Sequence, residues 1–303
     1  RRIEVLGRLV EAGVEGAAEG IAEYSTIQYV GQRDPYAVYA QRILGLKVLD
    51  RPGASAEAMA RGNAIHEAIE QMVRVWPDVL PEDCADQIAD FIMTAMTDAG
   101  FEDAALARER PLARNAALWL ERFERERRAR GATLLIEQSG AVVFDAPAGP
   151  FTVTARADRI ELDAHGAAVL DFKTGQTPSQ KQVVQGFAPQ LTLTAAILAE
   201  GGFDAPPTEA TELLYVKVTG RRDPGKVDDV SRQGRGNTQT AAQMAARELD
   251  RLKLGVAAFD DEATPYTSWV APQFMGNFGG NYDHLARVLR RGGQLFHYTG
   301  TPN

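Results

Sequence analysis

Residues 155–162, ARADRIEL, followed by AVLDFKTG at 168–175, decide how this chain folds. Two short runs rich in Ile, Val, Leu and Phe flank the turn-forming Asp163-Ala164-His165-Gly166, the pattern of a β-hairpin. Strand side chains alternate between faces, so Asp171 and Lys173 share one face while Leu170 and Phe172 take the other. Asp158 on the partner strand adds a second carboxylate at the same edge. Two carboxylates and a lysine converging at a strand end make an oxygen-lined site suited to Mg²⁺. Phosphodiester hydrolysis uses that combination. The ion polarises the phosphate and lowers the pKa of an attacking water, and the lysine orients that water and offsets developing negative charge. In FTVTARADRIEL (151–162) the apolar alternation changes phase between Ala157 and Ile160, and a bulge or kink there would aim Asp158 at the site.

Upstream of this hairpin the chain is mainly helical. Ser25 is a candidate N-cap, and Asp34-Pro35 opens a helix that Gly45 ends. Across residues 61–76, Ile65, Ile69, Met72 and Trp76 recur at helical spacing and form one buried stripe, with His66 at its edge. Residues 85–99 and 112–129 give two more amphipathic helices. After the Asp-x-Lys strand come a helix at about 179–200 that carries Gln190, a strand at 212–218 and a helix at about 238–259. Helices, a short meander, a crossover helix and another strand give an α/β sandwich with a small mixed sheet. The boundaries expected are an N-terminal segment at 1–23, a helical region at 24–130, and a core with a C-terminal extension at 131–303.

These motifs resemble the PD-(D/E)XK nuclease superfamily and its RecB-like branch. Gly62-Asn63-Ala64-Ile65-His66 matches the branch's Gly-x-x-x-His, Asp158 its first metal aspartate, Asp171-Phe172-Lys173-Thr174-Gly175 its D-x-K-T-G, and Gln190 its downstream glutamine. Where many members have Gln-x-x-x-Tyr, this chain has Thr194. The wording from about Tyr24 to Val288 is most similar to AddB-type nuclease domains. The resemblance implies a restriction-endonuclease-like core. It also implies Mg²⁺, replaceable by Mn²⁺, held by His66, Asp158, Asp171 and the carbonyl of Phe172, with Lys173 positioning the water and Gln190 orienting lysine or substrate. An AddA-type helicase–nuclease partner would deliver single strands from broken DNA ends. The rival expectations are a stand-alone exonuclease and a DNA-binding or structural module with a vestigial site. The abrupt start and the lack of a motor point to a piece of a longer chain.

Composition sets limits on these expectations. No apolar run in the 303 residues is long enough to span a bilayer, and the polar start lacks a signal-peptide core. One cysteine, Cys84, excludes a four-cysteine iron–sulfur cluster and fits a reducing cytoplasm. A net charge of −8 means that any DNA contact must be local. Two segments offer one. The run at 121–130, ERFERERRAR, interleaves acids with arginines in the pattern of a solvated helix face. The Gly- and Asp-rich segment at 217–235 reads as an exposed loop, and its Arg221, Arg222 and Lys226 are candidate phosphate contacts. Gly220 to Lys226 imitates a Walker A loop, but Val227 replaces the Ser or Thr that would hold Mg²⁺, so no nucleotide is expected. Glu137, on the strand before the hairpin, reads as a solvated acid, with support of the site or of a second metal as the alternative.

Overall fold

A computed structural model of the chain describes residues 35–40, 44–47, 56–267, 282, 285, 288–291 and 294–297. Helices α1 (Pro35–Val38), α2 (Ala56–Val75), α3 (Ala85–Asp98) and α4 (Asp103–Arg128) come first. Strands β1 (Thr133–Ala146), β2 (Gly149–Asp163) and β3 (Gly166–Lys173) follow. Next are α5 (Gln180–Val184), α6 (Gln190–Ala199), β4 (Ala210–Val218), β5 (Gly225–Asp229) and α7 (Ala241–Asp260). A separate hairpin pairs β6 (Val288–Arg291) with β7 (Gln294–His297). The five-stranded sheet runs in the order β1-β2-β3-β4-β5 and is antiparallel except for β3 and β4. A parallel pair needs a long crossover, which α5 and α6 supply.

The alternation of β3 and β4 builds both cores at once. Leu170, Phe172, Leu214 and Val216 face α2, α3 and α4, where they meet Ile65, Met72, Ile92 and Leu120. Val169, Leu213 and Tyr215 face α6 and α7, against Leu191, Ala195, Met244 and Leu249. The N-terminal helices and the sheet therefore share one hydrophobic cluster. On α2, Ile65, Ile69 and Met72 are buried as the spacing predicts.

Four expectations need correction. The strands read as short are a long hairpin: β1 and β2 pair from Thr133↔Leu162 to Ala146↔Gly149. The crossover helix is two helices. Gly186, at φ +81, turns the chain where an added Cβ would come within 2.5 Å of Arg251 Nη1, and Pro189 then sits at the N-cap of α6. Segment 217–235 is not a plain loop, because β5 pairs with β4 within it and Gly220, at φ +63, lies in the hairpin turn. Segment 121–130 is a solvated face only in part. Arg122, Arg125 and Glu126 are exposed, and Arg125 pairs with Glu121 one turn back. Arg159, fully buried, pairs with Glu124 and with Glu161. Arg127 joins Glu161 on β2 to Glu212 on β4, and Arg128 returns to Glu124, so these two arginines of α4 close a buried ionic network instead of facing water. Ser25, residues 41–43 and most of 282–288 lie outside the described residues, so the cap, the rest of the first helix and the last motif are not placed.

Candidate active site

The site lies where β2 and β3 run out of their ladder. Pairs Ile136↔Arg159 and Gln138↔Ala157 set Glu137 opposite Asp158, and Arg159↔Leu170 sets Asp158 level with Asp171. Three carboxylates thus stand side by side across β1, β2 and β3. The irregularity expected between Ala157 and Ile160 falls on the partner strand: the ladder keeps one register across it, so no residue is inserted in β2. Instead Glu137 adopts φ +50, a left-handed conformation that a non-glycine residue rarely takes and that concentrates at functional sites.

Helix α2 supplies the fourth group. The glycine of Gly-x-x-x-His sits one turn before the histidine, where an added Cβ would come within 3.3 Å of Thr174 Oγ1. A small residue there lets the helix approach the chain leaving β3. His66 Nε2 is 2.9 Å from the carbonyl oxygen of Phe172. With Nε2–H donating to that oxygen, Nδ1 carries the lone pair. It faces Asp158 Oδ2 at 3.6 Å and Glu137 Oε1 at 4.0 Å. Burial pushes the imidazole below its usual range, with the nearby Asp171 charge opposing, so the neutral form is favoured.

Lys173 Nζ lies 2.6 Å from Asp171 Oδ2 and donates to Gln190 Oε1 at 3.3 Å. Asp158 Oδ2 accepts the backbone N–H of Phe172 at 2.8 Å. Arg156, two residues before Asp158, holds Glu137 Oε2 at 2.9 Å. Burial drives the Asp158 and Asp171 carboxyls upward, and the charge of Asp158 adds to the rise at Asp171. Glu137 is pushed up to about 7, by burial first and by Asp158 second.

The side chains of Asp158, Lys173, Gln190, His66, Glu137 and Arg156 line one cleft of about 1180 Å³. Its walls come from α2, with Asn63, Glu67 and Glu70, and from the α5–α6 turn, with Phe187. Glu67 and Glu70 therefore belong to the cleft rather than to an unrelated surface. Asp171 and Phe172 complete the cluster from β3, behind Lys173. Thr194 is buried, so nothing from that position reaches the cleft. Arg221 and Arg222 are not brought in; with Leu112, Asn115 and Arg122 they line a separate groove beside α4. Lys226 lies on β5 and pairs with Asp228. Two members of the cluster emerge only in the structure: the sequence favours a solvated Glu137 over a metal-site role, and it does not single out Arg156. Only the register across β1 and β2 could have revealed either.

The donor set fits a divalent ion. Both oxygens of buried Asp171 lack a hydrogen-bond donor, the ammonium of Lys173 being near but not aligned. His66, Glu137 and Asp158 each present a ligand atom within 4.8 Å of the others. Three carboxylates and one neutral imidazole converge there, and the two cations beside them, Lys173 and Arg156, offset only part of that negative charge. That arrangement calls for a hard cation.

Comparison with known proteins agrees. A family model described as the PD-(D/E)XK nuclease superfamily matches residues 32–268. The chain belongs to that superfamily. Its mixed five-stranded sheet between helices is accordingly a restriction-endonuclease-like core, and membership points to a metal-dependent nuclease. Similar curated proteins are uncharacterised. One from Rickettsia bellii is 26% identical over 62% of this chain and 24% of its own length. Another, from Rickettsia felis, is 24% identical over 57% of this chain and 21% of its own length. The chain thus spans less than a quarter of the length of these relatives. The crystal structure of SSO0001 aligns at 13% identity over 68% of this chain and 90% of that one, with a TM-score of 0.27, too weak a likeness to bear on fold or function. Among the described residues no helix is long and apolar enough to cross a membrane.

Proposed function

We propose that this chain is the nuclease domain of an AddB-type protein, hydrolysing single-stranded DNA delivered by an AddA-type helicase partner during double-strand break repair. The observation that carries the nuclease reading is the pair of buried carboxylates, Asp158 and Asp171, set beside the ammonium of Lys173 at an open cleft. In this reading residues 131–303 form the catalytic core and 24–130 the helical layer that brings in His66.

Asp158, Asp171, His66 and Glu137 hold Mg²⁺, which supplies charge neutralisation at the scissile phosphate and a more acidic water. Arg156 and the backbone N–H of Phe172 fix the carboxylates before substrate arrives. Lys173 orients the attacking water and stabilises the negative charge that develops on the phosphate. Gln190 accepts from that lysine, holding its ammonium in the cleft. The AddB-type assignment rests on the wording of residues 24–288.

The test is cleavage of an end-labelled oligonucleotide with Mg²⁺, with excess EDTA, and by Asp171→Ala. Cleavage only by wild type with Mg²⁺ is expected. Equal cleavage by Asp171→Ala would sink the assignment of the site, and tight DNA binding without cleavage would favour a vestigial site. Co-purification with an AddA-type helicase separates the helicase-fed reading from a stand-alone exonuclease.

A further inference from the structure

Two rows of side chains cross the face of the sheet that carries α6 and α7. In the first, Asp171, Tyr215 and Asp228 stand in register on β3, β4 and β5. Two residues along each strand, on the same face, Lys173, Lys217 and Lys226 stand side by side. Neighbouring strands lie about 4.8 Å apart, so like charges set opposite one another work against strand pairing. Both outer lysines are neutralised on their own strands. Lys173 meets Asp171 at 2.6 Å, and Lys226 meets Asp228. The middle strand departs from this pattern, because Tyr215 takes the place of the aspartate. Among the described residues Lys217 forms no ion pair, so its charge stands between two other cations with no acid to offset it.

An anion laid across the row would turn that repulsion into attraction. The row begins at the carboxylate cluster and ends on β5, the edge strand, at an exposed Lys226. We propose that these lysines are the track of the substrate backbone. The single strand leaves the scissile phosphate at β3, crosses β4 over Lys217 and passes out over Lys226 at the sheet edge. This deepens the nuclease reading and rests on it. The path is distinct from the groove beside α4, where Arg221, Arg222 and Arg122 gather. Each lysine contacts one phosphate, so recognition along the track is independent of base sequence.

The experiment is the salt dependence of binding of fluorescein-labelled oligo(dT), followed by anisotropy in EDTA between about 50 and 200 mM salt. Lys217→Ala should make the slope of log affinity against log salt shallower by about 0.7, and Lys217→Ala with Lys226→Ala by about 1.4. Lys217→Arg should keep the wild-type slope and melting temperature, whereas Lys217→Ala, which relieves the repulsion, should melt at or slightly above it. If wild type binds and Lys217→Ala leaves the slope unchanged, the track is wrong. It is equally wrong if only Arg221→Ala with Arg222→Ala lowers the slope. Should wild type neither bind nor cleave oligo(dT), the nuclease reading itself falls, and the track with it.

Discussion

Removing metal should make the protein lose stability as pH rises, and Glu137 contributes a share of the effect that can be isolated. Its carboxyl ionises near 4.5 in the unfolded chain but only at about 7 in the folded one. Between those values the folded state holds a proton that the unfolded state has released, so stability falls with rising pH. The loss begins near pH 4.5, is complete above about pH 7, and amounts to about 3 kcal/mol. A 303-residue chain unfolds with an entropy of about 0.6 kcal/mol/K, so the melting temperature should drop by about 5 °C. The Asp158–Asp171 pair acts in the same direction, and His66, lowered by burial, acts in the opposite one. Comparison with Glu137→Gln isolates the glutamate. The assay is calorimetric melting at pH 5, 6, 7 and 8 in EDTA. Wild type should fall more steeply than Glu137→Gln, and saturating Mg²⁺ at pH 8 should return most of the lost stability to wild type alone. Parallel curves for the two proteins would refute a buried, proton-holding Glu137.

Asp171→Ala should abolish Mg²⁺-dependent cleavage by losing the ion, whereas Lys173→Ala should lower turnover by about 10²–10³-fold with metal affinity largely kept, as calorimetry and single-turnover kinetics would show. His66→Ala should weaken Mg²⁺ binding and shift activity towards Mn²⁺; calorimetric affinity equal to wild type would make the histidine purely structural. Arg159→Met takes one of two cationic partners from each of the buried Glu124 and Glu161, which keep Arg128 and Arg127, so urea denaturation should show a loss of about 1–3 kcal/mol. Cleavage per folded molecule should persist in that variant, because the network lies on the α4 side of the sheet.

Most of the candidate site was legible because its chemistry sits in short local patterns. Asp171 and Lys173 are two apart on one strand, Asp158 is just across a tight turn, and Gly62 and His66 are one helical turn apart. Glu137 was not legible, because its role depends on pairing with a residue twenty-one positions away and on a left-handed backbone that no local pattern announces. The charges of α4 misled for a related reason. ERFERERRAR looks the same whether water or acids face it, and the acids that do, Glu161 and Glu212, lie on β2 and β4. The divided crossover was written in Gly186 and Pro189 but was masked by the apolar residues on either side.

His66 belongs to a helix layer, while every carboxylate of the cluster belongs to the sheet. Between them lie the packing of Ile65, Ile69 and Met72 on Phe172 and its neighbours and the hydrogen bond from His66 Nε2 to the Phe172 carbonyl. Completing the ligand set and seating α2 are therefore one equilibrium viewed from two sides. An ion bound at the junction acts as a rivet: whatever affinity it has for the finished site is added to the docking of the helix. Conversely, a partner that pries α2 from the sheet disarms the nuclease without touching a single carboxylate.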